Sequence, residues 1–160
     1  YKVLYNLGFT DINILKKDKE ISIGDISIKG VQPGFPYSFT SIGFYITDSI
    51  NNKSILVETH VLSKKSISTF KNLNALIGTT ESVKLFNINL SMSPQRTYQI
   101  IRTLKPSYFI PTGINVSQNN GLLTNFLNVE GNYNELEASL AKSDLKTQVV
   151  CKEVGSEITL

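Results

Sequence analysis

The chain has 160 residues, 41% of them hydrophobic and 18% charged, with a formal net charge of +3. That length supports one domain with its own core, and the composition excludes global disorder. No apolar run approaches the ~18 residues of a membrane-spanning helix, and the charge is too mild and scattered for a nucleic-acid surface.

Residues 1–7 read as the last turns of a helix, with Leu4 and Leu7 on one face and Gly8 as a left-handed stop. Ile12–Leu15 reads as a short strand. Two alternating runs, Glu20–Ile23 and Ile26–Lys29, flank Gly24-Asp25 and predict a hairpin. Residues 31–38, with two prolines and a glycine, predict a loop. Ile42–Thr47 and Lys53–Glu58 predict two further strands.

The pattern then changes. Ser66 is placed to cap a short helix reaching Leu73. Leu76-Ile77 and Val83–Phe86 read as strands. Ser93-Pro94 opens a helix, with Ser93 as N-cap and Pro94 in the first turn. Tyr98, Ile101 and Leu104 give that helix an apolar stripe, and Pro106 stops it. Tyr108–Ile110 reads as a buried strand leading into Pro111-Thr112-Gly113. Leu122–Leu127 and Tyr133–Ala141 predict helices, the second capped by Asn132 with Leu136 and Leu140 inward. Thr147–Val150 and Glu157–Leu160 predict a closing hairpin around Gly155. A strand-rich first part followed by alternating helix and strand indicates an α/β or α+β class, in one domain over residues 1–160.

Three segments carry a resemblance: ILVETH (residues 55–60), LKPSYFIPTG (residues 104–113) and GLLTNFLNVEGNYNELEASL (residues 121–140). In order and spacing they resemble the later half of a metallo-β-lactamase-fold domain. More narrowly, they resemble the Zn-dependent-hydrolase-like proteins of cyanobacteria and plastids. There a Glu-Pro-His motif stands where this chain has Glu58-Thr59-His60. A Leu-Pro-Thr motif stands where it has Ile110-Pro111-Thr112, and Gly121-Leu122-Leu123 also matches. The resemblance implies half of an αββα sandwich, a mixed sheet with helices on one face. It also implies a plastid stroma or a cyanobacterial cytoplasm as the setting.

Active members of that superfamily carry a His-x-His-x-Asp-His cluster in the earlier half, and this chain has none. His60 is its one histidine and Cys151 its one cysteine, so cysteine-rich zinc sites and internal disulfides are excluded within these residues. Thr112-Gly113 replaces the later histidine of the family. The expectation is no catalytic residue and no cofactor, with zinc bound only where a first half supplies ligands.

Six residues remain as low-level ligand-binding candidates: Glu58, His60, Thr112, Gly113, Phe35 and Tyr37. Side chains two apart on a strand share a face, so Glu58 and His60 are expected side by side, fixing a loop or touching a ligand. Phe35 and Tyr37 occupy a loop where relatives carry another ligand histidine, and are expected to pack on a sheet edge. Thr112, Gly113, Asn115 and Ser117 form a polar loop beyond a strand, where α/β sheets hold ligands. Cys151 is expected to be a buried thiol.

The resemblance also leaves one sheet face bare, fed by Ile21, Ile23, Ile26, Ile28, Ile42, Phe44, Ile46, Ile55 and Val57. Such a face calls for a cover: an absent half, a second copy or another protein partner. Three functions stay open. One is a non-catalytic binding or structural subunit of a larger assembly. Another is the later part of a metal-dependent hydrolase. The last is a small-molecule module near Phe35, His60 and Thr112.

Overall fold

The computed structural model describes residues 2–70, 73–112, 126–151 and 156–159. A short helix, α1 (Lys2–Asn6), precedes the first strands. β1 (Glu20–Ile23) and β2 (Ile26–Val31) form the expected hairpin, with Ile23 opposite Ile26. β3 (Gly43–Asp48) and β4 (Lys53–Glu58) continue the antiparallel meander. Their connection is tightened by Asp48, which accepts the backbone N–H groups of Ile50 and Asn51.

From β4 onward the sheet turns parallel. β5 (Ala75–Thr79), β8 (Tyr108–Thr112) and β10 (Gln148–Val149) add in that order, giving seven strands ordered β1-β2-β3-β4-β5-β8-β10. Parallel neighbours need crossovers, and these carry α2 (Lys64–Ile67), α3 (Pro94–Leu104) and α4 (Tyr133–Ala141). A second sheet of three strands, β7-β6-β9, is built from β6 (Ser82–Leu85), β7 (Ile88–Asn89) and β9 (Leu127–Glu130). The class is the expected one, mixed α/β.

Helix boundaries follow local chemistry. Ser93 Oγ accepts the Arg96 N–H at 3.2 Å, and Lys105 ends α3 in a left-handed conformation. Asn132 caps α4 through the Glu135 N–H, and Leu136 and Leu140 are buried as expected. α2 starts earlier than expected: Ser63, not Ser66, is its N-cap, and the helix ends at Ile67.

The core lies on one side of the large sheet. Leu56, Leu76 and Phe109 project from adjacent strands onto Ile100, Ile101 and Leu104 of α3 and Leu136 and Leu140 of α4. The opposite side carries two cross-strand rows. Ile21, Ile28, Ile46 and Ile55 stand in register, as do Phe44, Val57, Ile77 and Ile110. Every residue of both rows is half-buried or exposed.

Five local expectations are corrected. Ile12–Leu15 is not a strand; the chain meets the sheet only at Lys17, bridged to Gly30. Gly30 is needed there, because a Cβ would lie 2.5 Å from the Lys16 carbonyl oxygen. β6 ends at Leu85, since Phe86 and Asn87 turn with positive φ into β7. Leu127 belongs to β9 and not to a helix, because it pairs with Leu85; residues 122–125 lie outside the described residues. At the carboxyl end, Gln148 and Val149 pair in parallel with β8, and residues 156–159 form no strand, so no closing hairpin appears among the described residues. Cys151, just past β10, is exposed and not buried.

Candidate functional site at the carboxyl ends of the parallel strands

β4 ends at Glu58, and its side chain turns to the helix side of the sheet with Ser54 and Leu56. The carboxyl is 2% exposed. Room for it comes from Gly43 on the neighbouring strand, where a Cβ would lie 2.6 Å from Glu58 Oε2. His60 lies in the bend beyond β4, not on the strand, which corrects the same-strand expectation. The two residues meet nonetheless. Glu58 Oε1 accepts the His60 backbone N–H at 3.0 Å, and His60 Nδ1 stands 3.5 Å from the same oxygen.

Glu58 Oε2 has no hydrogen-bond partner among the described residues. Burial pushes the Glu58 carboxyl up to about 7, against the opposing pull of the His60 N–H. Burial also lowers the His60 imidazole. Both groups are therefore driven toward their neutral forms, so the pair acts as a hydrogen-bonded junction more than as an ion pair.

Tyr37 completes this corner. Gly34 donates its N–H to the Val61 carbonyl at 2.6 Å, and Pro33 bridges Leu62. That clamp carries the 3₁₀ turn Tyr37–Phe39 over His60, with ring centroids 4.1 Å apart. Phe35 goes the other way. It is 70% exposed, against the expectation that it packs on a sheet edge.

Thr112 ends β8 on the same side as Ile110, opposite to the side that Glu58 takes. Its hydroxyl is buried and has no partner among the described residues. Thr79, beside it in register, is linked to the His60 carbonyl at 3.4 Å and accepts the Met92 N–H at 3.0 Å. Gly113, Asn115 and Ser117 lie outside the described residues.

Sequence reasoning missed the support beneath this corner. Thr97 donates from α3 to the Thr79 carbonyl at 2.8 Å, and Ser91 receives the Val83 N–H at 2.7 Å. The run Gly78-Thr79-Thr80-Glu81-Ser82, a polar stretch directly after an apolar strand, was the available signal. A cleft of about 390 Å³ adjoins it, lined by Val61, Ser82, Lys84, Ser91, Arg96 and Glu130. The Lys84 ammonium is paired with Glu130 there. A larger cleft, about 440 Å³, lies at the far end of the sheet between Lys105–Tyr108 and Asp144–Gln148.

No protein-family model matches the sequence, and no curated protein matches it. Solved structures do. The isothiocyanate hydrolase of Delia radicum gut bacteria superposes with a TM-score of 0.62 at 16% identity, over 94% of this chain and 61% of that one. Igni18, a metallo hydrolase of Ignicoccus hospitalis, gives 0.58 at 12% identity, over 94% and 61%. A protein of the metallo-β-lactamase superfamily from Thermotoga maritima gives 0.56 at 14% identity, over 83% and 61%. The fold is that of the metallo-β-lactamase superfamily. The chain spans about three fifths of the length of these neighbours.

A catalytic zinc needs about three protein ligands and an open position. Among the described residues no group of three or more histidine, cysteine, aspartate or glutamate side chains is placed to hold a metal. Glu58 and His60 supply two donors, and one carboxyl oxygen is already held by backbone. These residues do not by themselves fit a catalytic metal.

Proposed function

We propose that this metallo-β-lactamase-fold chain is a binding or structural unit and not a self-sufficient hydrolase. The observation that supports this is the state of Glu58. Its carboxyl is buried, anchors the bend at His60, and holds its proton up to a pH of about 7. One of its oxygens is already engaged by the His60 N–H, and no third ligating side chain stands with the pair among the described residues. The same bond, with the Tyr37–His60 stack, holds the loop around Gly34 against the end of β4. The corner is a clamp that shapes the strand ends.

The test is zinc titration by calorimetry at neutral pH, with turnover of an activated phosphodiester and an activated ester on the same sample. The expected result is no stoichiometric zinc and no turnover above background. Stoichiometric zinc with turnover, both lost in His60→Ala, overturns the proposal.

One observation favours a second reading. Three buried oxygens at or just past the strand ends, Glu58 Oε2, Thr80 Oγ1 and Thr112 Oγ1, have no partner among the described residues. On that reading the chain is part of a metal-dependent hydrolase, and the remaining ligands lie outside the described residues. Zinc binding by a longer form of the protein that weakens in Glu58→Gln would select it.

A further inference from the structure

The cleft of about 390 Å³ beside the strand ends is walled mainly by polar groups. One wall is the small sheet. There Ser82 and Lys84, two apart on β6, share a face with their cross-strand neighbours Glu130 and Asn89. The other wall is the start of α3, with Ser93, Gln95 and Arg96.

Most of these groups are already engaged. Ser91 accepts the Val83 N–H, Ser93 accepts the Arg96 N–H, and Gln95 donates to Glu135 at 3.4 Å. Lys84 is paired with Glu130. Two groups are left over. Arg96 is half-buried, and its guanidinium makes no hydrogen bond or ion pair among the described residues. Ser82 is 2% exposed, and its hydroxyl likewise has no partner there. We propose that this cleft binds the oxyanion group of a small organic acid, a carboxylate or a phosphate ester, with Arg96 as the cation and Ser82 as the hydroxyl donor.

Each leftover group is unfavourable as it stands. A buried hydroxyl without a partner has lost its water and gained nothing in return. A cation in the first turn of a helix opposes the macrodipole, whose positive end lies there. α3 nevertheless has Arg96 in that turn and no acidic residue. An oxyanion reverses both effects. A guanidinium fork takes two oxygens of such a group, and a hydroxyl takes another. Charge agrees: Lys84 and Arg96 stand against the single carboxylate of Glu130, which Lys84 and Asn128 already hold. The volume falls within the about 300–1,000 Å³ of small-molecule sites, so the oxyanion belongs to an organic molecule larger than a bare ion.

Binding here needs no metal, so this assignment and the reading of the Glu58 corner fail separately. Calorimetric titration tests it, with a chelator present and ionic strength held by chloride, using glycerol 3-phosphate and succinate as probes. The expected result is saturable binding of one of them. Saturation by the phosphate ester makes the recognised group a phosphate, and saturation by succinate makes it a carboxylate. Arg96→Gln should weaken that binding about tenfold or more, and Ser82→Ala about fivefold. Glu130→Gln, which releases Lys84, should tighten it. Without a probe, Arg96→Gln should unfold at no lower temperature than the parent, because it removes a cation from the wrong end of α3. An absence of saturation by both probes overturns the proposal. So does binding that is unchanged in Arg96→Gln, or an Arg96→Gln chain that unfolds well below the parent, which would assign Arg96 to the fold.

Discussion

The two sides of the seven-stranded sheet are made from alternate residues of the same strands, yet they meet different surroundings. On β4, Ser54, Leu56 and Glu58 are buried under helices, while Ile55 and Val57 between them are half-exposed. On β8, Phe109 is fully buried and its neighbour Ile110 is not. On β4 the buried residues are the less apolar set. Burial is decided by what the crossovers deliver, and α2, α3 and α4 all land on one side.

The largest expected effect separates the two sides directly. Leu56→Ala removes a side chain that is 0% exposed and leaves a cavity, costing about 2–5 kcal/mol. Ile55→Ala, one residue away, should cost about 1 kcal/mol in dilute solution, where its side remains uncovered. Urea unfolding followed by circular dichroism measures both. Equal costs would break the comparison.

Glu58 sharpens it, because a carboxyl has been placed on the covered side. Its pKa is raised by burial to about 7, against an ordinary 4.5. The folded state therefore holds the proton where the unfolded state has lost it. Stability falls as pH rises from about 4.5 through about 7 and then levels, by on the order of 3 kcal/mol. Glu58→Gln should flatten that slope and be more stable than the parent at pH 8. His60, lowered by burial, works in the opposite sense. Its contribution is present above its ordinary pKa of 6.5 and is lost as pH falls. Melting curves across this range in Glu58→Gln and in His60→Ala distinguish the two.

Gly43→Ala tests how closely the covered side is packed. The added Cβ would lie 2.6 Å from Glu58 Oε2 and 2.8 Å from the Val57 carbonyl oxygen. Backbone must shift, and the expected loss is about 1–3 kcal/mol in the same unfolding assay. The smallest effect belongs to a helix that covers this side. Ser93→Ala removes the cap of α3 and should cost about 1 kcal/mol, lowering the thermal midpoint while leaving the strand-end geometry in place.

Much of this was legible in the chain. The hairpin at Gly24-Asp25, the strand Lys53–Glu58, the caps Ser93 and Asn132 and the inward Leu136 and Leu140 follow from period, turn residues and N-cap chemistry, all local properties. The motifs of residues 55–60 and 104–113 pointed to the fold that the solved neighbours show. The Glu58–His60 contact was also expected, though by a different route: a backbone bond in a bend, not two side chains on one strand.

What the residues could not announce was anything that needs a distant partner. Ile12–Leu15 alternates like a strand but has no ladder to join, while Leu127, expected at the end of a helix, belongs to a strand because β6 lies beside it. Tyr37 reaches His60 only because Gly34 is clamped to Val61. Cys151 sits among valines in sequence and is exposed because β10 ends at Val149. The sequence by itself determined the class of fold, the helix ends and which strand residues are apolar, since these depend on neighbours along the chain. Only the tertiary structure decided which apolar side is covered and where Glu58 loses its water. Those depend on where the crossovers place α2, α3 and α4.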